Sequence, residues 1–125
     1  MTNNLPPGLT AKTGEVFARY LESVPRSRAS LERAVKAHLT EVNLASETNE
    51  LLDLATARKL AQGLLTLLER SQDEQLRLVQ GAILYFVEDE DAESDFASAV
   101  GFDDDVEVFN AVCHQLGLPE LALTL

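Results

Sequence analysis

The chain has 125 residues, which is enough for one compact domain but too few for two. Its formal net charge of −11 argues against a nucleic-acid binder, because phosphate contacts need clustered Lys and Arg. It also argues against a membrane-surface protein, because anionic lipid headgroups repel such a surface. The single Cys excludes an internal disulfide. The opening residues lack a basic segment followed by an apolar one, and no apolar window reaches the length of a membrane span. We therefore expect a cytoplasmic protein.

Hydrophobic periodicity predicts an all-α fold, a single-domain bundle of five or six helices over residues 11–125 after a flexible arm over residues 1–10. Sustained period-two alternation, which would indicate strands, does not occur in the sequence.

The first helix is expected to start at Thr10 or Thr13 and to end at Val24, because the residue before Pro25 avoids the helical region. The second helix is expected to carry its apolar stripe as far as Val42, with a connection after it. In both helices the apolar side chains recur on one face of a 3.6-residue period.

The third helix is expected over residues 47–70, and its leucines cover more than one face. That distribution is typical of a central helix or of one that packs against a second chain. Gly63 inside it allows close helix packing or marks a bend. Ser71 and Glu74 fit a capping box at the start of a fourth helix that ends near Glu88.

A fifth helix is expected to begin at Asp103 or Asp104. Gly117 suits a left-handed cap at its end, and Pro119 follows just beyond. The tail over residues 120–125 is apolar at alternate positions, so we expect it to pack back onto the bundle.

The net charge is concentrated in the C-terminal part of the chain. Residues 1–77 contain all 10 basic residues and 10 acidic ones, whereas residues 78–125 contain 11 acids and no Lys or Arg. Such dense like charges repel one another unless water, a cation or a basic surface intervenes. Ten of these acids form the acidic cluster: Glu88, Asp89, Glu90, Asp91, Glu93, Asp95, Asp103, Asp104, Asp105 and Glu107.

Three interpretations of the acidic cluster remain open. It is a solvated loop followed by a helix start where carboxylates are favourable, a docking surface for a basic partner, or a divalent-cation site. The docking interpretation has five candidate partner-binding residues: Asp91, Asp95, Asp104, Asp105 and Glu107. The partner is another protein with a basic surface, or a second copy in a homodimer. Within this chain the candidate basic surface is Arg19, Arg26, Arg28, Arg33 and Lys36.

The cation interpretation depends on alternate spacing like that of calcium loops. Its candidate ligands are Asp89, Asp91, Glu93 and Asp95. They do not complete an EF-hand, because a loop that starts at Asp89 places Ser94 at the turn glycine and Val100 at the bidentate glutamate.

Part of the C-terminal half carries a spaced set of aromatic, glycine and acidic residues. The set is Tyr85, Asp91, Asp95, Phe96, Gly101, Phe102, Asp104 and Asp105. In this spacing the segment resembles the YkvA-like domain, a small helical bacterial family of uncharacterised function. The prolines of that family are replaced here by Asp89, Ser94 and Ser98. The resemblance implies a small helical fold and carries no activity.

The sequence offers no catalytic constellation. Cys113 and His114 are neighbours, so on a helix their side chains point about 100° apart and do not pair easily. Cys113 and His38 lie on apolar stripes and are expected to be buried, whereas His114 is expected to face solvent. The known zinc, phosphate-loop and dinucleotide motifs do not occur. We therefore expect neither enzymatic activity nor a cofactor.

These observations predict a non-enzymatic interaction or regulatory module. We expect it to self-associate through the apolar third helix or the C-terminal tail and to present an acidic C-terminal docking surface. The alternative is a divalent cation-binding protein that uses the acids between Glu88 and Glu107.

Overall fold

The structure, a computed structural model, describes residues 6, 8–48, 53–88 and 103–123, with the Asp103 side chain outside the described part. Its α-helices are α1 (Ala11–Leu21), α2 (Arg28–Ser46), α3 (Leu54–Arg70), α4 (Leu76–Glu88) and α5 (Asp103–Gln115). Short 3₁₀ turns cover Asp73–Gln75 and Pro119–Leu121. The described residues contain no strand, and the predicted all-α bundle is confirmed. None of the described helices combines the length and apolar character that crossing a membrane requires.

The central helix of the bundle is α4, which packs against each of the other four helices. All residues from Val79 to Leu84 are buried, including Gln80. The other helices bury one stripe each, as an amphipathic helix does when it covers a core. The leucine-rich α3 packs against α2, α4 and α5.

The first helix is shorter than the sequence suggests, because it ends at Leu21 and not at Val24. Side chains of α4 bind the backbone that follows α1. The Gln80 side-chain amide donates to the Val24 carbonyl at 3.0 Å, and its oxygen accepts from the Arg26 N–H at 2.9 Å. Arg77 Nε also donates to the Leu21 carbonyl at 2.8 Å. These side chains pair backbone groups at and beyond the end of α1 that have no partner within the helix.

The boundary between α2 and α3 also differs from the prediction. Residues 43–46 are helical and not a connection, and α3 begins at Leu54 and not at residue 47. The start of α3 is fixed by Asp53, whose carboxylate accepts from the Thr56 N–H at 3.0 Å. Residues 49–52 lie outside the described part.

The predicted capping box at Ser71 and Glu74 is wrong by one residue. The Gln72 N–H donates to Gln75 Oε1 at 2.9 Å, and the 3₁₀ turn at Asp73–Gln75 leads into α4. Ser71 is buried because Arg28 from α2 reaches it, donating to Ser71 Oγ at 3.3 Å. A long-range contact therefore displaces the local capping pattern.

The end of α5 follows the prediction. Gly117 has φ +77°, and the N–H groups of Gly117 and Leu118 donate to the carbonyls of His114 and Cys113 at 3.2 and 2.8 Å. This is the hydrogen-bond pattern of a Schellman cap. The tail then packs back onto the bundle, where the Asn110 side chain exchanges two hydrogen bonds with the Leu123 backbone.

The glycine in α3 allows close packing, one of its two predicted roles. A Cβ at Gly63 would lie 2.4 Å from Cζ of Phe109, a fully buried residue of α5. The Phe109 ring therefore occupies the space that any larger residue at this position needs.

Candidate functional site

The described part of the acidic cluster lies where the start of α5 meets the N-terminal end of α1 and the C-terminal end of α4. Glu107 on α5 accepts from the Thr10 N–H at 2.7 Å. Thr10 is the N-cap of α1, where the helix dipole favours a carboxylate. Glu107 is thus half-buried and its carboxylate is engaged within the fold, so it is less available to a partner than the sequence suggests, and its docking role stays a prediction.

Asp105 was expected on the docking surface, but the structure buries it. Its exposed fraction is 5%, so it cannot be presented to a partner, whereas Asp104 beside it is exposed. The sequence contained a signal for this burial. Asp105 precedes Phe109 by four residues and Val112 by seven, which places all three on one helix face.

The remaining candidate residues of the acidic cluster lie outside the described residues: Asp89, Asp91, Glu93 and Asp95. The docking role of Asp91 and Asp95, and the cation-binding role of all four, therefore stay predictions. Among the residues that the structure does describe, no group of three or more His, Cys, Asp or Glu side chains is arranged to hold a metal ion.

Tyr85 connects the acidic start of α5 to α1. Its ring packs edge-on against Tyr20 with centroids 6.0 Å apart. Burial raises the pKa of the Tyr85 phenol well above its usual value, and the negative charge of Asp104 raises it further. A side-chain hydrogen bond with Thr13 acts in the opposite direction on that pKa. The phenol therefore stays protonated at neutral pH and serves as a hydrogen-bonding group beside the acids.

The five residues of the candidate basic surface differ in exposure, because Arg26 and Arg28 are half-buried and the other three are exposed. The half-buried Arg28 reaches the C-terminal end of α3, where it donates to the carbonyls of Leu68 and Ser71 and pairs with Asp73 at 3.1 Å. Arg26 donates to Ser30 Oγ at 2.9 Å, and Lys36 pairs with Glu32 at 2.9 Å. Arg19 and Arg33 are exposed.

Six of the ten basic side chains are engaged within the fold. They are Arg26, Arg28, Lys36, Arg58, Arg70 and Arg77. Arg70 pairs with Glu120 at 3.5 Å. The cations of residues 1–77 thus serve mainly to close helix ends and to pair with nearby acids.

The residues considered for catalysis lie where the sequence places them. Cys113 is buried, and burial raises the pKa of its thiol to about 12, so the reactive thiolate is disfavoured at neutral pH. His114 is exposed. His38 is buried, with its ring edge-on to Phe86 at 4.8 Å and Nδ1 3.7 Å from Glu41 Oε1.

The two surfaces expected to mediate self-association are used inside the chain. The large apolar residues of α3 face its own bundle, and its exposed positions include Arg58, Lys59 and Glu69. In the tail, Leu121 and Leu123 pack on the core. Neither region offers a second apolar face among the described residues, and self-association through them stays a prediction.

The contacts that sequence reasoning missed join residues far apart in the chain. Thr10 and Glu107 are 97 positions apart, and Arg28 and Ser71 are 43 apart. No local motif signals such pairs. Comparison of the chain with protein-family models, curated proteins and solved structures gives no match.

Proposed function

We propose that this protein is a non-enzymatic interaction module that binds a basic protein partner through the acidic cluster. The distribution of charge carries the proposal. Residues 78–125 contain 11 acids and no Lys or Arg, and most cations of residues 1–77 are engaged elsewhere in the fold. A separate partner with a basic surface would supply the missing positive charge.

The described end of the acidic cluster supports a narrower docking surface than the sequence suggested. Asp104 is exposed, while Asp105 and Glu107 are held within the fold. The docking surface proposed here therefore consists of Asp91, Asp95 and Asp104. The YkvA-like resemblance of the same segment stays a prediction, and it carries no activity that would argue for catalysis.

A pair of variants with equal charge changes tests the proposal. The first replaces Asp91, Asp95 and Asp104 by Asn, and the control replaces exposed Glu47, Glu69 and Glu74 by Gln. Both raise the net charge equally, so only the position of the change differs. The probe is a lysine-rich peptide titrated at low and physiological salt, followed by affinity capture and identification of proteins from native lysate.

We expect the first variant to lose the peptide and its basic protein partner, while the control keeps both. Binding should weaken steeply with salt, because exposed charges are screened over about 8 to 10 Å at physiological ionic strength. Equal losses in the two variants would show that net charge alone drives the binding and would sink the proposal. Binding heat with calcium or magnesium that disappears in the first variant would instead favour the cation-binding alternative.

A further inference from the structure

The outer face of α1, together with its C-cap residue Glu22, carries four exposed charged residues in a row. This α1 charge stripe consists of Lys12, Glu15, Arg19 and Glu22. At 3.6 residues per turn the four lie within about 80° of the helix circumference. Phe17, which is fully buried against the bundle, lies on the opposite side. The stripe therefore faces away from the core.

The signs of the stripe alternate along the helix, with a cation at Lys12 and Arg19 and an anion at Glu15 and Glu22. Within the described part of the chain, none of the four side chains makes an ion pair or a hydrogen bond. The four stripe residues differ in this respect from Arg28, Lys36 and Arg70, each of which forms an ion pair with an acid of the same chain.

The four charges are arranged symmetrically about Phe17. Lys12 and Glu22 each lie five positions from Phe17, and Glu15 and Arg19 each lie two positions from it. An antiparallel copy of α1, related by a two-fold axis at that point, would place Lys12 opposite the partner's Glu22 and Glu15 opposite the partner's Arg19. One axis satisfies both pairs, as an isologous interface requires.

Only the antiparallel orientation gives this match, because a parallel pair in register would set Lys12 against the partner's Lys12. The small side chains of Ala11 and Ala18 flank the stripe and allow close approach.

We propose that the chain forms a symmetric homodimer in which α1 packs antiparallel on the partner's α1 through the α1 charge stripe. The dimer uses a surface far from the buried leucines of α3. It is independent of the proposed acidic docking surface, because its test needs only the purified chain.

Charge reversal at the outer pair tests the dimer. In the symmetric dimer the contact between Lys12 and the partner's Glu22 occurs twice. Lys12→Glu or Glu22→Lys alone turns both of these contacts from attractive to repulsive. We expect each variant alone to dissociate at least about tenfold more readily than the wild type, because each exposed pair contributes a modest energy. A 1:1 mixture of the two variants should dimerise again, because each introduced charge then faces its opposite. Sedimentation velocity over a concentration series measures all three samples.

Matched reversals at exposed positions outside α1 control for net charge and folding. Arg33→Glu changes the charge as Lys12→Glu does, and Glu69→Lys changes it as Glu22→Lys does. Both controls should dimerise like the wild type. A wild-type chain that is monomeric at every concentration would overturn the proposal. So would a dimer that survives the single reversals, or a mixture of the two variants that stays monomeric.

Discussion

Residues 1–77 and residues 78–125 fold into one bundle but use their charges differently. In the first region 10 cations balance 10 acids, and two of the cations, Arg28 and Arg77, donate to backbone carbonyls at helix ends. In the second region there are 11 acids and no Lys or Arg. The balance of the first region is therefore local and structural, whereas the second region needs water, a cation or another molecule to offset its charge.

The comparison also shows that formal charge and available charge are different quantities. Asp105 and Glu107 count towards the net charge, yet one is buried and the other is hydrogen-bonded to the start of α1. In the first region the half-buried Arg28 is similarly engaged within the fold, at the end of α3. A partner meets only the charges that the fold leaves exposed, such as Asp104 and Arg33.

The largest expected effect comes from the contact between Gly63 of the first region and Phe109 of the second. Phe109→Ala should lower the free energy of unfolding by about 3 to 5 kcal/mol, because the fully buried ring leaves a cavity beside Gly63. Gly63→Ala alone should also destabilise, because the new methyl group meets the ring at 2.4 Å. Urea unfolding at pH 7 measures both.

The double variant gives the decisive comparison for this contact. With the Phe109 ring removed, Gly63→Ala should become stabilising by up to about 1 kcal/mol, because Ala is the better helix former and the space is then free. An effect of the same sign and size in both backgrounds would mean that the ring and the methyl group do not meet, and that the regions are joined elsewhere.

The next prediction compares the stability cost of removing a cation that is hydrogen-bonded within the fold with that of removing an exposed one, both in the first region. Arg28→Ala should cost about 1 to 2 kcal/mol, because it leaves carbonyls at the end of α3 without their charged donor. Arg33→Ala should stay within about 0.5 kcal/mol of the wild type, because Arg33 is exposed. Thermal and urea unfolding of the two variants measure the difference.

Removal of the ion-pair partner of Arg28 shows which contact matters. The Asp73 side chain is 95% exposed, so Asp73→Asn should have little effect on stability. If Asp73→Asn cost as much as Arg28→Ala, the surface ion pair and not the carbonyl contacts would hold the start of α2 to the end of α3. Equal costs for Arg28→Ala and Arg33→Ala would remove the distinction between inward and exposed cations.

Much of the fold could be predicted because each helix carries its own periodic apolar stripe. Phe17, Val35, Leu64, Ile83 and Phe109 are all buried on the faces that the spacing assigns to them. The Schellman cap at Gly117 was predictable for the same reason, since its signal is local.

The boundaries and the site were harder to predict because side chains from distant helices decide them. Gln80 determines the path of the chain after α1, and Arg28 occupies the region where Ser71 was expected to cap α4. The inward position of Glu107 depends on the N-terminus of α1, 97 residues away. Local pattern therefore predicted which residues are acidic or apolar, but not which acids remain exposed.

The smallest expected effect at neutral pH concerns Tyr85, whose pKa is raised in part by the acids at the start of α5. Its pKa lies above the ordinary value of 10.0 in the folded chain, through burial and then through Asp104. The folded state therefore holds the phenolic proton more tightly than the unfolded chain does. That stability is fully present below about pH 10 and is lost as the pH rises further.

Tyr85→Phe removes this pH dependence. At pH 7 the variant should lose at most about 1 kcal/mol, because it removes a single hydroxyl group from a half-buried position. As the pH rises above about 10, the wild type should lose stability faster than the variant, so the difference between their urea midpoints should narrow. Both proteins keep Cys113, whose pKa is also raised, so its contribution is common to both. A midpoint difference that stays constant from pH 7 to alkaline pH would show that the phenol is as accessible to solvent in the folded chain as in the unfolded one. The acidic start of α5 would then be too distant from Tyr85 to influence it.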